Sequence, residues 1–297
     1  KKNKASGPDE EPMEFFKWLD ESNLGRVLEL LNFWWENSIF PEDKLKAYVA
    51  SIYKKGDPKQ QGNYRPISLL SSIYKIYAAM LQSRISTALD EDLMKTQFGF
   101  RKARSTSTPL ACIRRILERA EASVDPICLV FLDWEKAFDR VKQNKLMEAL
   151  ERMGLPSKFV EAIKNFYKNP QFCVRVGDFQ SSWRAQKCGI RQGCPLSPYL
   201  FVIMMTVLFR DVYDEVDLSR GRLDGLDFSD LLYADDSALF TNNVHAMNRL
   251  LLKIEEHASY YGLAFNKTKC VSLNFHLARK PVFADGSQVP ETEETVY

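Results

Sequence analysis

Apolar residues recur at helical spacing from 24 to 37 (LGRVLELLNFWWEN), which sets Leu24, Val27, Leu28, Leu31, Trp34 and Trp35 on one side of a helix. Two tryptophans in such a stripe read first as core, with a base-stacking platform as the alternative. A short strand is expected over 47–53, then a turn at Lys54-Lys55-Gly56-Asp57-Pro58, and a helix over 69–89. The run CLVFL, 128–132, is continuously apolar and ends on Asp133, the pattern of a buried strand with a carboxylate at its C-terminal end. Helices are expected over 142–153 and 157–168, the first stopped by Gly154 and Pro156. Residues 172–176 and 182–187 alternate as a hairpin would, and 198–213 is apolar nearly all round, the mark of a core helix. The stretch LLYADDSALF, 231–240, reads as two short strands meeting at a tight turn. An amphipathic helix carrying Met247, Leu250, Leu251, Ile254, Ala258 and Tyr261 follows, closed by Gly262, and 270–275 ends the series as a strand. A sheet backed by helices, an α+β fold, is the expected architecture.

At 45% hydrophobic residues the chain can bury one large domain or two subdomains. The net charge of +2 names no partner, but its distribution is uneven. Between Lys44 and Arg104 twelve Lys and Arg stand against four acids, an excess suited to a polyanion or to a solvated face. The six cysteines (112, 128, 173, 188, 194, 270) show no metal-binding or disulfide spacing, which suits reduced thiols and an intracellular location. The longest apolar stretch, 199–209, is too short to span a bilayer, so no membrane partner is expected. Asn266-Lys267-Thr268 matches a glycosylation sequon without a signal peptide and reads as chance.

Asp235 and Asp236 pose an electrostatic problem. At an effective dielectric near 20, two charges about 5 Å apart repel by roughly 3 kcal/mol. A turn-capping role would explain an isolated pair. With Asp133 closing another buried strand, a divalent cation becomes the better explanation, because three carboxylates suit a hard ion that prefers oxygen and keeps some waters. Two such ions about 3.5–4 Å apart would serve in-line phosphoryl transfer. No phosphate-binding glycine loop is present, and His245, His257 and His276 stand in no nucleophile arrangement.

Six blocks then occur in one order: KKGDPKQQGNYRPISLLS, QFGFRKARST, FLDWEKAFDRV, GIRQGCPLSPYLF, LLYADDSALF and GLAFNKTKC. In these blocks, spanning about Lys54 to Leu273, the chain resembles the reverse transcriptase domain of non-LTR, LINE-like retrotransposons. The resemblance implies a right-hand polymerase fold, with an N-terminal helical extension (1–43), fingers (44–127) and a palm (128–297) that returns to the fingers around 142–190. The primer grip and thumb would lie beyond Tyr297. It also implies an RNA template, a DNA primer, dNTPs and two Mg²⁺ ions, with Mn²⁺ as a substitute.

Residue by residue, the resemblance implies that Asp133, the Trp134 carbonyl, Asp235 and, more weakly, Asp236 face the metals. Phe138 would be the steric gate against a ribose 2′-OH, with a core phenylalanine as the alternative, while Asp139 would be structural. Tyr233 would lie near the primer end and Arg101 along the template backbone. Gln192 and Gly193 would line the nucleotide pocket, and Lys54, Lys55 and Arg65 would hold the triphosphate. Lys269 would protonate the pyrophosphate, with Lys267 a close neighbour. Other readings are a catalytically inactive nucleic-acid-binding remnant, a group II intron-type reverse transcriptase, and an RNA-templated RNA polymerase. Phe138 speaks against the last.

Overall fold

The structure is a computed structural model that describes residues 5–292. In chain order its elements are α1 (Met13–Lys17), α2 (Glu21–Glu36), β1 (Lys46–Tyr53), β2 (Tyr64–Leu70), α3 (Ser72–Leu89), α4 (Ser107–Ala122) and β3 (Ile127–Leu132). There follow α5 (Ala137–Arg140), α6 (Gln143–Arg152), α7 (Ser157–Asn165), β4 (Gln171–Val176), β5 (Phe179–Gln180) and β6 (Arg184–Ala185). The chain finishes with α8 (Ser197–Glu215), β7 (Asp230–Tyr233), β8 (Asp236–Thr241), α9 (Val244–Tyr261) and β9 (Val271–Phe275). These elements form two compact units. One takes the residues up to Ala88 together with Leu150–Pro198; the other takes Leu89–Ala149 together with the residues from Tyr199 on.

This division departs from the expected boundaries at 43 and 127. Segment 89–127 joins the second unit, because α4 packs Ile113, Ile116 and Ala120 against Ile127, Leu129 and Phe131 of β3. The second segment of the first unit runs from Leu150 to Pro198.

In the first unit the strand order is β2-β1-β4-β5, with β6 also paired to β4. β1 and β2 pair antiparallel from Ala47↔Leu70 to Tyr53↔Tyr64, while β1 and β4 run parallel. β2 contains Pro66, which has no N–H for a ladder; the strand survives because it lies at the sheet edge. Trp34 is buried, and its ring meets Phe40 at 5.1 Å and Tyr77 at 6.1 Å, so it belongs to the core and not to a stacking platform. Helix α2 buries only Leu31 and Trp34; Leu24 and Leu28, expected on the same covered side, are exposed.

The second unit is built on an antiparallel sheet of order β7-β8-β3-β9. All six residues of β3 are buried, as a central strand covered on both faces requires. α8 is buried nearly all round from Tyr199 to Phe209. α9 starts at Asn243, whose side chain accepts from the Ala246 amide at 2.8 Å, and stops at Gly262 in the left-handed conformation (φ 88°). No described helix is long and apolar enough to cross a membrane.

Candidate active site

β3 and β8 are neighbours whose register runs from Cys128↔Thr241 to Leu132↔Ser237. Asp133, one residue past the end of β3, is thereby brought to the first residue of β8, Asp236. β7 and β8 close a hairpin in which Tyr233 pairs with Asp236, leaving Ala234-Asp235 as a two-residue loop. Ala234 takes φ 60°, a left-handed conformation unusual for a residue with a side chain. Asp133 is half-buried, whereas Asp235 and Asp236 lie at the surface. Partial burial raises the Asp236 carboxyl pKa, and the negative fields of Asp235 and Asp133 raise it further. The three carboxylates therefore share one electrostatic neighbourhood.

They do not form a closed cage. Among the described residues, no group of three or more His, Cys, Asp or Glu is arranged to hold a metal ion by itself. What joins Asp133 and Asp235 here is that the charge of each raises the pKa of Asp236. Such a donor set fits Mg²⁺, which takes one or two carboxylates and completes its octahedron with waters and substrate phosphates.

The surroundings of Asp133 are fixed from behind. Its carbonyl accepts from the Asn266 amide at 2.7 Å, and its own amide donates to Cys270 Sγ at 3.3 Å. The Trp134 indole is buried, lies 4.8 Å from the Phe265 ring and donates to Ser237 Oγ at 3.3 Å. Phe138 is half-buried and stacks on Phe201 of α8, with centroids 4.7 Å apart and planes 14° from parallel. A face-to-face contact with a fully buried partner leaves the Phe138 ring little freedom. Lys269 is exposed and forms no ion pair among the described residues. Lys267, by contrast, is paired with Asp285 at 2.9 Å and Glu255 at 3.4 Å. Of the two lysines, Lys269 is the one at liberty to meet a ligand.

Arg101 requires a correction. Its five N–H groups are all committed: Nε and one Nη to the Asp90 carboxylate at 3.1 Å each, further donors to the carbonyls of Met94 (2.8 Å) and Gln97 (3.1 Å), and one to the Asp90 carbonyl. With its side chain 3% exposed, no donor is left for a template phosphate. Arg101 ties the 90–101 loop together.

What the QFGFR block contributes instead is a brace. Segment Thr96–Gly99 runs parallel to β7: Phe98 N donates to Leu232 O at 2.8 Å, and Leu232 N to Thr96 O at 2.9 Å. Asp230 begins β7 and is buried, accepting from Tyr213 Oη at 2.6 Å and Thr96 Oγ1 at 2.7 Å. None of Gln97, Gly99, Asp230 and Phe201 stands out by itself in the sequence, although all but Asp230 fall in blocks that do.

Burial pushes the Asp230 carboxyl up to about 6, against the two hydroxyl donors that favour its ionised form. The proton is thus held more tightly in the folded chain than in the unfolded one. This contribution is present below the unfolded pKa near 4 and is lost as pH rises through about 6. The loss is on the order of 3 kcal/mol. Asp230→Asn is expected to remove that component of the slope, measured as denaturant midpoint against pH from 4 to 7.

The first unit holds the remaining candidates. Lys54 and Lys55 follow β1 and are exposed, as is Arg65, which pairs with Ile52 across the hairpin. None of the three is ion-paired among the described residues. Gln192 and Gly193 lie against β2: Ser68 N donates to Gln192 O at 2.7 Å. Gly193 adopts φ 120°, and a Cβ there would come 2.5 Å from Ser68 O, so only glycine fits both the conformation and the space. The loop thus rests on the strand that carries Arg65.

Comparison with known proteins gives one family match, described as Reverse transcriptase (RNA-dependent DNA polymerase), over residues 52–291. Over 92% of its length the chain is 27% identical to the RNA-directed DNA polymerase from mobile element jockey of Drosophila melanogaster, covering 30% of that protein. It is 26% identical, again over 92%, to the retrovirus-related Pol polyprotein from type-1 retrotransposable element R2 of Nasonia vitripennis, covering 26% of it. The chain thus spans about a fifth to a third of the length of the curated relatives it matches. Among solved structures, apo telomerase from Candida tropicalis superposes with a TM-score of 0.56 over 80% of this chain and 51% of that one, at 15% identity. That likeness is one of fold, the right-hand polymerase fold.

Proposed function

The chain belongs to the reverse transcriptase (RNA-dependent DNA polymerase) family, and on that premise we propose that it elongates a DNA primer on an RNA template as part of a non-LTR retrotransposon polymerase. The observation that carries the proposal is the register of β3, β8 and β7, which brings Asp133 to the turn bearing Asp235 and Asp236.

Asp133, the Trp134 carbonyl and Asp235 would hold two Mg²⁺ ions, with Asp236 a weaker contributor; Mn²⁺ should substitute. When bound, such ions lower the pKa of an attacking hydroxyl and neutralise a leaving pyrophosphate. The residues of the chain position and discriminate. Tyr233, at the end of β7, orients the primer end whose 3′-OH attacks the α-phosphate. Lys269 supplies a proton to the departing pyrophosphate. Phe138, held by Phe201, excludes a ribose 2′-OH and so selects dNTPs. On the first unit, Arg65 offers a fork of donors to phosphate oxygens, and Lys54 and Lys55 add mobile charge. Gln192 and Gly193 allow close backbone approach to the nucleotide. Template contacts then rest on backbone electrostatics and shape, so rising salt weakens binding steeply.

The test is extension of a DNA primer on an RNA template with dNTPs and Mg²⁺ by the full-length protein. A ladder of products dependent on both template and metal is expected. No extension under conditions where the protein is folded and binds primer–template would overturn the proposal in favour of a nucleic-acid-binding remnant.

A further inference from the structure

We propose that Gln97 is a positioning residue for the turn that bears Asp235, acting through a single amide oxygen shared by two backbone N–H groups. Gln97 Oε1 accepts from Ala234 N at 2.9 Å and from Gly99 N at 2.8 Å. The inference rests on the reading of Asp235 as a metal ligand.

A two-residue hairpin loop with a left-handed alanine is strained on its own, since a Cβ disfavours that conformation. Something outside the hairpin must hold it. Gln97 is fully buried, so no water competes for its oxygen. The parallel ladder between Thr96–Phe98 and Leu232 fixes the register of Gln97 against the strand leading into the turn. Gly99 completes the fit: a Cβ at 99 would fall on the Ala234 amide nitrogen and crowd the Ala234 Cβ. Thr96 anchors the other end of the segment on Asp230. The turn is therefore fixed by its neighbour in the sheet as well as by its own strands.

The orientation of the Gln97 amide is determined. Turning it over would set Nε2 against two N–H donors. In the observed orientation Nε2 is buried without a partner, an unfavourable arrangement tolerated because the oxygen serves two donors. A neutral acceptor also suits the place, as a carboxylate would add a fourth negative charge behind Asp133, Asp235 and Asp236.

The experiment compares Gln97→Met, which keeps the volume and removes the acceptor, with Gln97→Glu, which keeps an acceptor oxygen. Three readouts are taken on the full-length protein: hydrogen exchange at the Ala234 amide, Mn²⁺ affinity in the complex with primer–template and dNTP, and kcat with KM for dNTP. Gln97→Met should speed Ala234 exchange by about tenfold or more and weaken Mn²⁺ binding about tenfold. It should lower kcat by about 10–100-fold, with KM for dNTP within about twofold of wild type. Gln97→Glu, which keeps the acceptor but adds charge, should return Ala234 exchange to within about threefold of wild type. Unchanged exchange and Mn²⁺ affinity in Gln97→Met, or Ala234 exchange as fast in Gln97→Glu as in Gln97→Met, would overturn the inference. A wild-type protein that extends no primer overturns the polymerase reading instead, and Ala234 exchange still decides whether Gln97 holds the turn.

Discussion

Asp235→Asn is expected to reduce primer extension by about 10³-fold or more while the protein remains folded. The magnitude follows from the several kcal/mol of transition-state charge stabilisation that a properly held divalent ion supplies. The folding expectation follows from the opposite side of the same electrostatics. Asp235 lies at the surface of the turn and raises the pKa of Asp236 by repulsion. Removing its charge relieves Asp236, so the thermal midpoint should stay level or rise slightly. The Asp236 carboxyl should titrate at lower pH than in the wild type. Activity lost without stability lost is the signature of a group retained for chemistry. The pair is measured by extension rate and by calorimetry on the same preparation.

Phe138→Ala is expected to raise the relative kcat/KM for ribonucleotides over deoxyribonucleotides by about 10²-fold. In the proposed role the Phe138 ring would meet a ribose 2′-OH, and it is held flat on Phe201 with centroids 4.7 Å apart. A stacked, half-buried ring cannot swing aside for an extra hydroxyl without giving up that contact, worth about 0.5–1.5 kcal/mol. Removal should thus loosen selection and also cost some stability, about 1–3 kcal/mol for a partly buried phenylalanine. Competition between dCTP and CTP in single-nucleotide extension reads the first effect, and denaturant unfolding reads the second. Unchanged selectivity with lowered stability would assign Phe138 to the core alone.

The parts of the fold legible in the sequence are those whose signal is local. The apolar run ending on Asp133 becomes a fully buried strand, and the doublet in LLYADDSALF becomes a hairpin turn, because period and turn chemistry act over a few residues. Helix α9 follows its 3–4 spacing and stops at Gly262. Strand β2 is obscured by Pro66, which reads as a break unless the strand is known to be an edge. Helix α4 hides its stripe of Ile113, Ile116 and Ala120 among charged residues. The two-unit division rests on long-range pairing, above all the parallel β1–β4 contact, which no local pattern announces. The same limit applies to Arg101. A cation in a polymerase-like block suggests phosphate, but Asp90 and three carbonyls consume its donors. Gln97 is the converse case, a residue with no charge to attract notice whose oxygen reaches the turn from 137 positions away in sequence.

The proposed chemistry depends on Asp133 and Asp235, from segments about a hundred residues apart, holding metal together. The most direct test counts Mn²⁺ bound to the full-length protein with primer–template and a non-hydrolysable dNTP, by electron paramagnetic resonance. Wild type should bind two ions tightly, and Asp133→Asn and Asp235→Asn should each lose at least one. Unchanged stoichiometry and affinity in both variants would show that these carboxylates do not hold the ions.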